Sequence, residues 1–406
     1  MALDIDFIRS QFPAFREPSL ADQAFFENAG GSYPCRFVVD RLARFYRERK
    51  VQPYGPFDSS RVGGEEMDEA RTRLSKMLGV HEDELSFGPS TTQNVYVLAN
   101  AFREYLSEGD AIVVTNQDHE ANSGAWRRLS DAGIEVREWQ IDPDTGHLDL
   151  SALGGLLEGA KLLCFPHCSN VIGEINDVSA ISQIAHDAGA VVCVDGVSYA
   201  PHGFPNVDKL GADIYLFSAY KTYGPHQGIM VVRRVLAEAL PNQAHYFNAG
   251  TLYKKFTPAG PDHAQVAACA GMADYVDALY ASLDLSHVGA SERAEVVHDA
   301  MRTREVELMQ PLLEFLRSRN DVRMLGPATA ETRAPTVAIH HSRSAEHLAA
   351  ELAPHNVNVC GGDFYAVRPL EASGIDPAHG VLRMSFTHYT TREEVDRLIA
   401  ALDHVL

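Results

Sequence analysis

Lys221 stands in the stretch DIYLFSAYKTYGPHQG, directly after the apolar run Ile214 to Phe217 and before a loop closed by Gly224-Pro225 and Gly228. Such a run reads as a buried strand, and an ammonium at its end is costly because charge leaves water reluctantly. One chemistry removes the cost. Condensed with an aldehyde as an imine, the lysine nitrogen carries no permanent solvated charge, and once released it serves as a base. Taken alone, the segment equally fits a surface lysine whose stem snorkels to water.

Four further groups bear on that choice. Gly88-Pro89-Ser90-Thr91-Thr92 follows the strand-like Glu84 to Phe87 and opens the helical pattern of Val95. A helix start with free N–H groups and hydroxyls is a phosphate site as well as an ordinary cap. Asp195, in VVCVDGVSYAPH, ends an apolar run where open α/β sheets bind ligands. Its carboxylate could hold a protonated pyridine nitrogen or merely cap a turn. His119, in NQDHEANSGAW, could lie against a flat ring and shuttle protons, or be a satisfied core or surface residue. Asn170, in FPHCSNVIGEIND, could donate to a phenolic oxygen or form a turn. Each follows a separate apolar run, so all would gather at one edge of one sheet.

The elements that must position them are legible as a pattern. Ala111 to Thr115, Lys161 to Phe165, Ala190 to Val194 and Ile214 to Phe217 are buried-strand runs with helical segments between, the signature of a parallel sheet wrapped by helices. Two helical stretches, about 261–283 and 292–319, lead to a second pattern in which Pro335 to His340, Asn356 to Cys360 and Val381 to Phe386 look like strands. Thr391 and Glu394 form a capping box for the last helix. With 406 residues and 45% hydrophobic content the chain exceeds one usual domain. A large domain over 25–283 and a small one from 1–24 with 284–406 are expected. The net charge of −20 speaks against a nucleic-acid or anionic-membrane partner. No apolar run approaches membrane-spanning length, the first residues do not read as a signal peptide, and six cysteines show no paired framework. A cytoplasmic setting is expected. Cys164-Phe-Pro-His-Cys168 lacks a second cluster at zinc spacing, so no metal is expected.

The blocks FSAYKTYGP, VCVDGVSYAPH, HCSNVIGEIND, TTQNVYVLAN, DHEAN and FFENAGGSYP, in their order along nearly the whole chain, resemble the cysteine desulfurase-like branch of the class V aminotransferases. The resemblance implies a fold-type I pyridoxal 5'-phosphate enzyme: an α/β fold with a mostly parallel seven-stranded sheet, a small α+β C-terminal domain, and a homodimer. It further implies that Lys221 is the imine lysine, Asp195 the partner of the pyridine nitrogen and His119 the ring-stacking residue. Thr91, Thr92 and Ser218 match phosphate positions, and Asn170 and Ser198 fall near the ring oxygen. Arg383, in VLRMSF, matches the arginine that grips the substrate carboxylate, a role its planar fork suits. Gly260, in GPDH, falls in the stretch that reaches the partner subunit's phosphate.

Two departures bear on the reaction. Desulfurases of this type carry a mobile catalytic cysteine in the loop that here reads NVNVCGGDFYAVRP, where Tyr365 takes the cysteine position and Cys360 the usual arginine position. A phenol cannot accept a persulfide, and Cys360 reads as a small buried residue ending a strand. Tyr220 also replaces the histidine that often precedes the lysine. The expectation is an aminotransferase acting on a small amino acid, with specificity set near Gly30, Tyr220 and Tyr365. The alternatives are a carbon–sulfur lyase without an enzyme persulfide, a cofactor-free lysine lyase, and a non-catalytic protein on the same fold. Arg61 and Arg368 are candidate second anion contacts.

Overall fold

Strands with apolar side chains on both faces must be covered on both, and that requirement shapes this molecule. The computed structural model describes residues 3–406. Its strands are β1 (Ala24–Phe25), β2 (Leu85–Gly88), β3 (Ala111–Thr115), β4 (Glu135–Trp139), β5 (Ala160–Pro166), β6 (Val191–Asp195), β7 (Ile214–Ser218), β8 (Gly228–Val232), β9 (Val322–Met324), β10 (Thr336–His341), β11 (Val357–Asn358), β12 (Cys360–Gly362) and β13 (Val381–Ser385). Seven of them form one sheet in the order β2-β8-β7-β6-β5-β3-β4. From β7 to β4 all pairings are parallel, and β8 runs antiparallel to both neighbours.

Every residue of β3, β7 and β8 is buried, and successive side chains divide between two cores. Val113, Leu163, Val192, Val194, Tyr215 and Phe217 join one; Ile112, Val114, Leu162, Cys193, Ile214 and Leu216 join the other. Each fully buried Val, Leu or Ile contributes about 1.5–3 kcal/mol, so the strands that end at the site are the best anchored parts of the chain. The expected runs are all present, shifted by a residue at some ends. β4, whose Glu135, Arg137 and Glu138 are polar, completes the sheet without an apolar signal, whereas β8 carries one in Ile229 to Val232 behind its opening glycine.

A second sheet, β12-β13-β10-β9, is antiparallel throughout and is packed by the helices Ala290–Arg317, Ala345–Leu352 and Arg392–Val405. The capping box at Thr391 and Glu394 is formed. Asn356 to Cys360 is not one strand. β11 pairs with β1 while β12 pairs with β13, and the change of partner at Val359 leaves Cys360 exposed, where burial was expected. Near the N-terminus Phe12 is buried with its ring against Tyr223, Tyr275 and Tyr389. Among the described residues no helix is long and apolar enough to cross a membrane.

The two sheets meet at a buried cation. Arg333 is fully buried and donates to four carbonyls, Pro327 O at 2.6 Å, Leu325 O at 2.8 Å, Ile172 O at 3.0 Å and Thr336 O at 3.2 Å. Ile172 and Gly173 belong to the loop that follows β5 and carries Asn170. Gly173 has φ +75°, and a Cβ there would lie 2.4 Å from Thr336 O, so only glycine fits this seam. Burial pushes the Arg333 pKa down to about 10, still leaving it charged at neutral pH. Arg333→Met removes every one of these donors and is expected to lower unfolding stability by about 3–5 kcal/mol. An unchanged midpoint and slope in urea unfolding would show that the seam is held elsewhere.

Candidate active site

β7 delivers Lys221 through one short turn, Ala219–Lys221, so the amine sits just past the sheet edge with the side chain only 9% exposed. Burial, and then the charge of Arg383, push its pKa down to about 8, against the opposing pull of Asp195 and Glu27. Ser218, the last residue of β7, places its hydroxyl 2.8 Å from that of Thr91. Thr91 opens the helix Thr91–Tyr105, whose N-cap Ser90 accepts from Gln93 N. A Cβ at Gly228 would lie 2.5 Å from Ser90 C and 2.8 Å from Thr91 N, so the glycine that starts β8 is what lets the helix start approach the sheet this closely. The result is a helix N-terminus with hydroxyls from Thr91, Thr92 and Ser218 facing one polar pocket.

Asp195 ends β6 beside β7, is 5% exposed, and accepts from Val197 N at 2.8 Å. Burial raises its pKa to about 6, the Val197 N–H and Lys221 opposing. Behind it the fully buried Asp118 accepts from Asn122 and Thr115, and burial together with Asp195 pushes its pKa well up. His119 caps the helix Glu120–Arg127, its Nδ1 accepting from Ala121 N at 3.0 Å, which leaves the proton on Nε2 in the neutral ring. Burial, then Lys221 and Arg383, push its pKa down to about 3. A neutral ring is suited to stacking; the proton-shuttling role that its ordinary pKa suggested is not supported at neutral pH.

Asn170, 4% exposed, donates from Nδ2 to Phe364 O at 3.0 Å, while its Oδ1 is buried without a partner. Phe364 and Tyr365 have φ of +53° and +54°, an arrangement that costs about 1 kcal/mol or more per residue. It is held by the Asn170 contact, by Glu120 N donating to Tyr365 O at 2.8 Å, and by Tyr365 N donating to Asp363 Oδ1 at 2.9 Å. The Tyr365 ring is 74% exposed and stands 5.5 Å from His119.

Arg383 comes from β13, in register with Cys360 on β12 and Ala338 on β10. It donates to Glu27 Oε1 at 2.5 Å, and its guanidinium lies 3.8 Å from the Phe364 ring centroid. A cavity of about 460 Å³ opens between Arg383, Glu27, Gly30, Tyr365, Tyr96 and Lys221, and shares Thr92, His119, Asn170, Tyr220 and Lys221 with the polar pocket that also holds Asp195, Ser198 and Ser218. The structure therefore brings together Thr91, Thr92, His119, Asn170, Asp195, Ser198, Ser218, Lys221, Gly30, Tyr365 and Arg383. Gly260 is apart from them, exposed beside a separate cavity of about 390 Å³ that includes Tyr54 and Phe247. Arg61 is exposed and paired with Glu65 and Asp58; Arg368 pairs at 3.5 Å with Glu120 on the cavity wall. Glu27, Glu120, Tyr96 and Asp118 were not singled out in the sequence. For Glu27 the signal was there, a carboxylate three residues before the Gly30-Gly31 turn.

This donor set fits pyridoxal phosphate. The helix start and three hydroxyls suit a phosphate dianion, the buried carboxyl of Asp195 a ring N–H, the flat neutral His119 a ring face, and Lys221 an aldehyde. The unpartnered buried Oδ1 marks Asn170 as a side chain whose polar capacity is not met by the protein itself.

Comparison with known proteins agrees. The family model for aminotransferase class-V matches residues 24–398. An aminotransferase-like protein, FGM3, of Gibberella zeae is 31% identical over 100% of this chain and 99% of its own length, and a cysteine desulfurase of Serratia proteamaculans is 31% identical over the same shares. Among solved structures, a cysteine desulfurase from Thermococcus onnurineus superposes with a TM-score of 0.85 at 23% identity, covering 100% of this chain and 98% of that one. Escherichia coli CsdA, another cysteine desulfurase, gives 0.82 at 22% identity over 100% and 99%; at these identities the likeness is one of fold. The chain belongs to the class V aminotransferase family, whose members depend on pyridoxal 5'-phosphate.

Proposed function

We propose that this enzyme is an aminotransferase for a small amino compound, and the observation that carries the reading is the chemistry of its thiols. Cys168 is the one cysteine lining either site cavity; it is buried, and burial pushes its pKa up to about 12. Cys360 lines neither cavity, and burial together with Glu27 raises its pKa too, Arg383 opposing. Neither offers the thiolate that sulfur transfer onto the enzyme needs. Amino transfer needs only a base and a carboxylate anchor, and both line the open cavity.

Thr91, Thr92 and Ser218 would hold the phosphate, Asp195 the ring nitrogen, Asn170 and Ser198 the ring oxygen, and His119 the ring face. When bound, pyridoxal phosphate supplies an electron sink for the carbanion formed at the substrate α-carbon. Arg383 orients the substrate so that its α-hydrogen faces Lys221. Lys221, neutral above about pH 8, takes that proton and returns one on the opposite side of the nitrogen. Tyr365 and Phe364 form the outer wall of the cavity. A carbon–sulfur lyase uses the same base and anchor, and the relatives named cysteine desulfurase support it as the second reading.

The full enzyme is a cytoplasmic homodimer in this reading, with Gly260 near the partner's site. Tyr246 and Phe247, 89% and 69% exposed, support an interface there. Changing both to glutamate is expected to halve the mass seen by sedimentation at low micromolar concentration; an unaltered mass would move the interface elsewhere.

Two measurements test the chemistry. In cofactor-free protein, an amine-selective reagent followed by peptide mapping should modify Lys221 with a midpoint near pH 8, because burial disfavours the ammonium and the free amine accumulates above that pH. Arg383→Met should raise the midpoint by removing a like charge. A midpoint near that of exposed lysines, about 10.4, would contradict the buried-base assignment. Single amino acids added to holoenzyme without an acceptor should release one oxo acid per site and leave a lasting change in the absorption band. Continuous release of pyruvate and reduced sulfur from cysteine or cystine, with the band restored, would establish the lyase instead. Lys221→Ala should abolish both.

A further inference from the structure

Arg383 is the guanidinium that faces the open cavity beside Lys221, yet it is already engaged. Nη2 donates to Glu27 Oε1 at 2.5 Å, Nη1 reaches Asn170 O at 3.4 Å, one face lies 3.8 Å from the Phe364 centroid, and Nε is buried without a partner. The Glu27 carboxylate therefore already sits on the fork and neutralises the charge that a substrate carboxylate would bind, so the two carboxylates compete for the same guanidinium. Glu27 is held at one oxygen only; its Oε2 is buried and unpartnered. Its position is built in at two points. The backbone at Glu27 bridges to Ser385, two residues beyond Arg383, and a Cβ at Gly30 would lie 2.7 Å from Glu27 Oε1, so a side chain there would press on the carboxylate and displace it.

We propose that Glu27 is a specificity-determining counter-ion: paired with Arg383 it lets the cavity take primary amines that carry no carboxylate next to the nitrogen, and it withdraws to free Arg383 when an α-amino or 2-oxo acid binds. A carboxylate entering beside the closed pair meets like charge where water is scarce, whereas a carbon bearing hydrogen or alkyl groups does not. With the 19% exposed Glu27 side chain turned away from the guanidinium along the cavity wall, the same guanidinium becomes a carboxylate anchor. The proposal rests on the amino-transfer reading, in which one cavity accepts two unlike partners in turn. The balance is closed: the donor's C–N bond is exchanged for C=O, its carbon losing two electrons, while the carbonyl carbon of a 2-oxo acid gains the amino group and those two electrons. The donor leaves as an aldehyde or ketone.

The test uses matched pairs, L-alanine with ethylamine and L-phenylalanine with 2-phenylethylamine. Holoenzyme is titrated with each, the cofactor absorption band giving an equilibrium dissociation constant whether or not turnover follows. Cofactor-free protein is titrated with propionate by calorimetry. Wild-type protein should bind each amine at least as tightly as its amino acid. Glu27→Gln should shift that ratio tenfold or more toward the amino acid and tighten propionate binding tenfold or more. Gly30→Ala, which crowds the same carboxylate while keeping it charged, should shift the ratio in the same direction and carries the test should Glu27→Gln fail to fold. An unchanged ratio with unchanged propionate affinity overturns the proposal, as does a wild type that binds the amino acids tenfold better than the amines. A switched ratio without oxo-acid-dependent release of aldehyde leaves the role of Glu27 standing and removes amino transfer. Aldehyde release with an unswitched ratio does the reverse.

Discussion

Holding a lysine amine out of water at the end of a strand buried on both faces is the constraint from which the rest of this site follows. The same low polarity that lowers the Lys221 pKa to about 8 raises that of Asp195 to about 6, so two opposite charges a strand apart are both pressed toward neutrality. A pocket of that kind favours a ligand that brings its own charges to fixed receivers. In the proposed reading the helix start at Thr91 would receive an anion, and Asp195 a ring N–H. The close approach of the helix to the sheet depends in turn on Gly228, which has no side chain to hold them apart.

The second sheet supplies what the first cannot. β13 contributes Arg383, and the Phe364–Tyr365 turn contributes the outer wall. Their placement relies on contacts across the seam: a small apolar cluster that joins Val171 and Ile172 to Ala338, Ala366 and Val381 with Phe364 packed against it, and the hydrogen bonds of Arg333 to the loop after β5, Asn170 to Phe364, and Glu120 to Tyr365. Two adjacent left-handed residues persist because those hydrogen bonds over-determine the turn. The floor of the site is thus secured by the two large cores and its mouth by a smaller apolar cluster together with directional contacts, a weaker hold of the kind expected where substrate must be admitted and released.

What could be read in the sequence follows the same division. Buried strands with unbroken apolar runs, such as Ala111 to Thr115, announced themselves, and residues at their ends could be gathered without knowing any contact. β4 could not be found this way, since an edge strand needs little burial and Glu135, Arg137 and Glu138 carry no period. Cys360 was misjudged because the apolar VNV before it suggests one continuous strand, whereas β1 and β13 compete for that segment and split it. The Glu27–Arg383 pair joins positions 356 residues apart, so although Glu27 stands just before the Gly30-Gly31 turn, nothing local ties it to its partner. Composition showed only that carboxylates outnumber basic groups.

The reaction on this scaffold is set by the groups at its mouth. Lys221, Asp195 and the helix start would serve amino transfer and carbon–sulfur cleavage alike, because both begin with loss of a proton from the same carbon. They diverge at the next atom: one route returns a proton, the other expels sulfur, either to an enzyme thiolate or to solvent. An acceptor thiolate would have to stand in the open cavity, and the turn there presents the Tyr365 phenol near His119. Both available thiols are shifted toward their protonated forms. Without such a thiolate, sulfur transfer onto the enzyme has no receiver here, and the proposed amino transfer and a release of sulfur to solvent would both draw on the same base and anchor.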